Sequence, residues 1–335
     1  MKREGRVGVA IVGCGLIGQK RAAALGPARL IVCADILLDR AQALAQRAPG
    51  AITTDDWGKA LQYPDVDVVI VSTTNNVLAE VTIAAAQAGK HVLVEKPAAC
   101  NTQELKQVIE AARTSGVLVR VGFNHRYHPA LRKAREIFET GVLGELMFVR
   151  GHYGHGGRPG YEKEWRADPK LSGGGELIDQ GVHLIDLARW FLGDFSEVMG
   201  FARTYFWPIP VEDNAFLLLK TPRQQTAFLH VSCTEWKNLF SFEIYGRQGK
   251  LLVQGLGGSY GVERLTYYKM LPQMGPPETM IWEYPSDDNS WHLEFVEFLN
   301  DIQLNRTPAA GLSDACAALE VVEKIYEGSN YDYHT

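Results

Sequence analysis

The run Val9-Ala10-Ile11-Val12-Gly13-Cys14-Gly15-Leu16-Ile17-Gly18 narrows the choice of folds more than any other feature of the chain. Its apolar start, too short to cross a membrane, reads as a buried strand, and the glycine spacing that follows is that of a tight turn entering a helix. Gly13 permits the turn, Gly15 lets the backbone approach a pyrophosphate with no Cβ in the way, and Gly18 lets the helix pack on the strand. The helix N-terminus favours the phosphate charge. Glycine-rich turns are common, so the acid that follows carries weight. Asp35 stands 22 residues beyond Gly13, at the end of the next apolar run. There a carboxylate accepts hydrogen bonds from both adenosine ribose hydroxyls and repels a 2′-phosphate. A solvated strand-end acid is the alternative. The expected cofactor is NAD rather than NADP, held by Gly13, Gly15, Leu16, Ile17, Gly18 and Asp35.

Short apolar runs at 7–12, 30–34, 66–72, 91–95 and 118–122 alternate with helical patterns such as 79–88 and 102–113, the latter capped by Asn101 or Thr102. That alternation predicts a parallel, doubly wound sheet. After Gly122 the rhythm changes. A helix at 131–140 precedes strand-like runs at 198–206, 215–220, 226–234 and 240–245 with no helices between them, the pattern of an antiparallel sheet. One helix is expected at 176–192 and two more at 291–305 and 313–327, whereas 255–285 shows no clear pattern. At 335 residues the chain exceeds what one core supports. The expected division is a dinucleotide-binding domain at 1–124 and an α+β domain for substrate and oligomerisation at 125–335.

A net charge of −5 gives no footprint for nucleic acid, and no apolar run is long enough for a membrane. The polar opening residues and the short run after them predict no leader, hence a cytoplasmic protein. Cys14, Cys33, Cys100, Cys233 and Cys316 are odd in number and scattered, with no CxxC. This fits a reducing compartment and speaks against a thiolate metal site.

Two further motifs carry chemistry. Glu95-Lys96-Pro97 ends the fifth expected strand, on the side where open α/β sheets bind ligands. A half-buried lysine beside a positive nicotinamide ring is disfavoured as the ammonium, and its neutral amine can take a hydroxyl proton. A strand-end lysine in a surface ion pair is the other reading. In Gly173-Gly174-Gly175-Glu176-Leu177-Ile178-Asp179-Gln180-Gly181-Val182-His183 the acid and histidine are i and i+4 on one helix face. A structural ion pair or two metal ligands remain alternatives, but no third ligand is evident and no metal is expected. Asp186 is placed either to orient His183 or simply on the helix surface.

Taken together, Gly13–Gly18, Glu95-Lys96-Pro97, Gly122-Phe123-Asn124-His125-Arg126 and the stretch from Gly173 to Asp186 resemble the glucose–fructose oxidoreductase/inositol dehydrogenase/MocA family over nearly the whole chain. The resemblance implies a Rossmann domain followed by an open-faced, mostly antiparallel sheet that a second subunit covers, in a homodimer or homotetramer. It implies Lys96 and His183 as the acid–base pair and Asp179 as a partner to substrate hydroxyls or to His183. Glu95, Thr73 and Asn75 would serve the cofactor, and Asn124 and Arg126 the substrate. A cis Lys96–Pro97 peptide is common in such folds. One departure is Leu78, where the family often has histidine in Thr-Pro-Asn-x-x-His.

The stretch from His152 to Tyr161 reads as a glycine-rich loop leading through Trp165 and Arg166 to the site helix. Trp165 is suited to stacking on a sugar, and Arg158 and Arg166 to meeting phosphate; equally, they brace the loop. The loop resembles those of surface-polysaccharide relatives. The expected substrate is therefore a sugar whose substituent is a nucleotide diphosphate. The competing expectation is a free sugar or cyclitol with both arginines in internal salt bridges. An NAD-dependent glycosidase and a protein that only binds the cofactor are the remaining readings.

Overall fold

The computed structural model describes residues 6–273, 275–329 and 331. Residues 1–5, on which the expectation of no leader partly rests, lie outside the described residues. So do residue 274, within the unreadable stretch, and residues 330 and 332–335 of the expected second domain.

Six parallel strands form the first sheet: β1 (Gly8–Val12), β2 (Arg29–Ala34), β3 (Ile52–Thr54), β4 (Val68–Val71), β5 (His91–Val94) and β6 (Val119–Val121), in the order β3-β2-β1-β4-β5-β6. Between them run α1 (Leu16–Ala23), α2 (Leu38–Ala45), α3 (Trp57–Ala60), α4 (Asn75–Gln87) and α5 (Thr102–Ser115). β1 and β4 are buried along their whole length, which is why they read as unbroken apolar runs. β3 escaped the reading because it is a partly exposed, three-residue edge strand without such a run. Asn101, not Thr102, caps α5: its side chain accepts from Glu104 N at 2.8 Å, and Glu104 reaches back to Cys100 N at 3.0 Å. The strand order reverses between β1 and β4, and ligands of such sheets sit beyond the strand ends at that point.

The second sheet has eight strands: β7 (Leu146–Gly154), β8 (Glu197–Arg203), β9 (Asn214–Lys220), β10 (Thr226–Ser232), β11 (Leu239–Gly246), β12 (Gly249–Gln254), β13 (Glu263–Lys269) and β14 (Glu278–Tyr284). Their order is β14-β13-β12-β11-β7-β10-β9-β8, and every pairing is antiparallel except β7 with β10. The helices that follow in chain order are α6 (Pro129–Glu139), α7 (Pro169–Ser172), α8 (Val182–Leu192), α9 (Ser290–Leu304) and α10 (Leu312–Gly328).

Two expectations change here. The glycine-rich loop expected from His152 begins later, because residues 152–154 finish β7, a central strand. Glycines obscured it: a Cβ on Gly151 would stand 2.9 Å from Leu229 and 3.2 Å from Leu184 and Phe242, so glycine is what lets α8 pack on the sheet. The helix expected at 176–192 is two pieces, a π-helical turn at Leu177–Gly181 followed by α8. On the face away from α8, Met199, Leu218 and Phe228 stand in register across β8, β9 and β10 and are 46%, 39% and 49% exposed.

The chain divides into one compact unit of Met1–Phe123 with Trp291–Cys316 and another of Asn124–Ser290 with Ala317–Thr335. A single boundary at residue 124 therefore misplaces 291–316. Phe295 and Phe298 of α9 join the core of the first unit with Val9, Ile11, Val68, Ile70 and Leu93. Arg21 on α1, fully buried, reaches Glu294 and Glu95 at 2.6 Å each, with the Trp291 ring 4.4 Å away. Arg120 on β6 pairs with Asp301. Among the described residues no helix is long and apolar enough to cross a membrane.

Removing Arg21 would leave two buried carboxylates without their shared cation. Arg21→Ala should cost about 3–5 kcal/mol of unfolding free energy in urea; a loss below about 1 kcal/mol would show that the network contributes little.

Candidate active site

In the first unit the glycine motif closes β1 onto α1. Gly13 has φ +91°, and a Cβ there would stand 2.4 Å from Ser72 O. A Cβ on Gly18 would stand 2.1 Å from Gly13 O, so the first turn of α1 rests on the loop itself. Gly15 differs: a Cβ there would meet nothing within 4 Å. It is also the N-cap of α1, with no side chain capping the helix. Packing therefore explains two of the glycines, and the third leaves bare backbone beside uncapped helix N–H groups, a cradle suited to a pyrophosphate. Leu16, 72% exposed, and the half-buried Ile17 begin α1.

Asp35, at the end of β2, accepts from Cys14 N at 2.7 Å and from Leu37 N at 2.9 Å, one bond per oxygen. It thus fixes the loop, and a carboxylate has about four acceptor positions, which leaves room for ribose hydroxyls. Ile36 and Leu37 beside it are exposed and apolar, a surface for an adenine that the sequence reading did not single out. Ser72 was missed too: at the end of β4, its hydroxyl donates to Gly13 O at 2.7 Å and ties the two strand ends together. Thr73 donates to Thr74 O at 3.1 Å, and Asn75 opens α4, buried. Leu78, where the family often has histidine, is a core residue.

Beyond β5 the Lys96–Pro97 peptide is cis, and Lys96 is half-buried. Glu95, expected to serve the cofactor, turns inward instead to the Arg21 ion pair. It holds the end of the strand that carries Lys96.

In the second unit Asp179 lies in the π-helical turn and His183 in the first turn of α8, 6% and 3% exposed. The i, i+4 spacing on a regular helix does not describe them, because the turn is wound wider. Glu212 holds the opening of this turn, accepting from Gly175 N and Leu177 N at 2.9 Å each and from the Tyr326 hydroxyl at 2.8 Å. The His183 ring stacks on His125, with centroids 3.8 Å apart, and Tyr153 stands edge-on to His125 at 5.2 Å. Neither His125 nor Tyr153 was selected from the sequence, although His125 sits inside a motif that was. Burial pushes the Tyr153 hydroxyl well above its usual range, with Tyr260 adding to the effect.

Asn124 and Arg126, expected on the substrate, are buried and internally bonded. Asn124 donates to Ser290 Oγ at 2.9 Å, and Arg126 grips both oxygens of Asp186. Asp186 is thereby the counter-ion that pins α8 to the turn at Asn124–Tyr127. Arg166 Nε donates to Asp179 at 2.9 Å, its guanidinium 4.6 Å from the Trp165 ring. Trp165 is thus a platform for Arg166. Arg158, 71% exposed in its side chain, pairs with Glu164 at 2.7 Å. Glu176, just before the π-helical turn, accepts from the Tyr161 hydroxyl at 2.8 Å and contacts His155 Nε2 at 3.3 Å. Burial opposes charge on His155, but the bond to Glu176 prevails and its pKa is raised.

Comparison with known proteins agrees with this layout. Residues 7–123 match the oxidoreductase family with an NAD-binding Rossmann fold, and 131–252 match the GFO/IDH/MocA C-terminal domain. The D-glucoside 3-dehydrogenase of Escherichia coli K12 is 34% identical over 96% of this chain and 95% of its own length. The levoglucosan dehydrogenase of Pseudarthrobacter phenanthrenivorans is 35% identical, over 51% of this chain; the match spans less than half, 44%, of that protein. A solved levoglucosan dehydrogenase in complex with NADH superposes with a TM-score of 0.87, covering 97% of this chain and 98% of that one at 23% identity, a likeness of fold. The chain belongs to the GFO/IDH/MocA oxidoreductase family, and its first domain is an NAD-binding Rossmann domain.

The open space at Gly15 makes a clean test of the cradle. Gly15→Val should leave the thermal midpoint within about 2 °C of wild type but weaken NADH by at least ~10-fold, about 1.4 kcal/mol, in a fluorescence titration. Unchanged affinity would place the pyrophosphate elsewhere.

Proposed function

We propose that this protein is an NAD-dependent dehydrogenase that oxidises a ring hydroxyl of an uncharged sugar, glycoside or cyclitol. The observation that carries the choice of substrate is the pairing of both candidate arginines: Arg158 with Glu164 and Arg166 with Asp179. A diphosphate would have to displace a carboxylate from each, and in the Arg166 case would strip Asp179 of its counter-ion. Relatives named for D-glucosides and levoglucosan support the same reading.

In this proposal Lys96 and His183 are the acid–base pair that the family resemblance implies. The bound cofactor supplies the hydride acceptor. Asp179, bonded to Arg166, accepts a hydrogen bond from a substrate hydroxyl with its remaining carboxylate positions. Lys96 or His183 takes the proton of the hydroxyl being oxidised as its carbon loses hydride, leaving a ketone. The stack on His125 and the wide turn fix the plane of the His183 ring.

Lys96→Ala and His183→Ala should each lower turnover by roughly 10²–10⁴-fold with NADH affinity retained. Near-normal turnover in either variant would remove that residue from the mechanism. With wild type, free sugars, glucosides and cyclitols should produce NADH persistently and at least as efficiently as any nucleotide sugar, with Arg158→Ala unchanged in KM. A clear preference for nucleotide sugars, lost in Arg158→Ala, would overturn the substrate class. The absence of net NADH with any of them would favour a glycosidase or a binding protein.

The same proposal assigns the exposed Met199, Leu218 and Phe228 face to a second copy of the chain, since apolar patches of this kind mark interaction sites. Light scattering at micromolar concentration should give a dimer or tetramer; monomer alone would contradict it.

A further inference from the structure

The sheet face away from α8 also holds three ligand-type side chains that the proposed reaction does not use. His152 on β7 and His230 on β10 are direct partners in the one parallel pairing of that sheet. Glu235 follows just beyond β10. The two imidazoles are 4.7 Å apart, His152 Nε2 lies 2.8 Å from Glu235 Oε1, and one ligand atom from each of the three falls within 4.8 Å of the others. In the chain His152 and His230 are 78 residues apart, so no spacing rule reveals them.

The surroundings of His230 prepare it as a ligand. The Asn214 amide nitrogen donates to Asp213 and Thr234 at 3.0 Å each, which turns the Asn214 oxygen toward His230 Nε2, also at 3.0 Å. Nε2 therefore carries the proton and Nδ1 the lone pair. An imidazole whose second nitrogen donates to a fixed acceptor is the outer-sphere arrangement of protein zinc sites. Phe216 stacks on the other face of the ring at 4.2 Å. The histidines open on a cavity of about 280 Å³, room for a water.

We propose that His152, His230 and Glu235 form a binding site for a divalent transition metal, with zinc preferred. Two imidazoles and one carboxylate, with water in the fourth position, suit zinc in donor type and number. The ion replaces the proton between His152 Nε2 and Glu235, and His230 presents Nδ1 by turning about its retained Nε2–Asn214 hydrogen bond. Ligand atoms around a tetrahedral ion with bonds of about 2.0 Å stand roughly 3.3 Å apart, so the widest pair closes by side-chain rotation while the strand pairing holds both histidines in place. The bound ion clamps the turn after β10. Glu235 N donates to His155 O at 3.0 Å, and Trp236 backbone atoms lie where a Gly156 Cβ would meet them at 3.0 Å. The clamp therefore reaches the start of the segment that carries His155 and Arg158.

The test uses the full chain without an affinity tag, stripped with chelator and dialysed against zinc at micromolar concentration. Elemental analysis should find one zinc per chain, and the thermal midpoint should rise by about 3 °C or more at 100-fold excess over Kd. Co²⁺ in its place should give the intense visible bands of a four-coordinate ion. His152→Ala, His230→Ala and Glu235→Gln should each abolish stoichiometric binding, and Asn214→Ala should weaken it by roughly 10–100-fold. Zinc retained at one per chain by all three ligand variants, no zinc on wild type, or a weak six-coordinate Co²⁺ spectrum would each overturn the site. The wild-type measurements decide the matter even where a variant fails to fold.

Discussion

The buried guanidinium of Arg21 is the interaction on which the first unit depends. It joins three segments far apart in sequence: the helix behind the glycine loop, the strand end before Lys96, and the C-terminal helix α9. Two carboxylates around one cation leave an excess negative charge out of water, and burial raises the Glu294 pKa against the pull of Arg21. Such a cluster is an expensive way to hold a fold. What it secures is position, since the same contact ties the last turn of α1 to the end of β5 and to α9. A Cβ on Gly122 would stand 2.7 Å from Arg21 and 2.9 Å from Glu95, so even the neighbouring strand is shaped around this pair.

The second unit applies the same device to α8. Arg126 and Asp186 lock α8 to the turn at Asn124–Tyr127, which also delivers His125 to the face of His183. Glu212 satisfies the backbone where the π-helical turn opens. Charged residues that a motif search assigns to substrate thus act one layer behind it. They set the plane of an imidazole and the direction of a carboxylate.

Much of the fold was legible in the sequence because buried parallel strands leave apolar runs, unbroken in β1 and β4 and interrupted in β6 only by Arg120. Gly13 and Gly18 were legible because the backbone is too close there for any Cβ. β7 was hidden by Gly151 and Gly154, which thin the apolar pattern where packing is closest. β13 and β14 were hidden because β14 is largely exposed and lacks clear alternation. In the candidate site, Asp179, His183 and Lys96 stand out in the sequence by type and spacing, and their roles belong to the proposed function. The partners of Arg126, Arg158, Arg166 and Glu95 were not, since a charged side chain in a motif looks the same whether its partner is a ligand or another residue. The segment 291–316 was misassigned because helical periodicity says which face is buried but not against what.

The arginine pairings bear on more than substrate choice. Arg166, carried on Trp165, donates through Nε to Asp179 and occupies one acceptor position of a carboxylate that has about four. The remaining positions are open to a hydroxyl donor. Under the proposed function, changes in the segment from His155 to Arg166 meant to alter substrate range therefore disturb Asp179 as well.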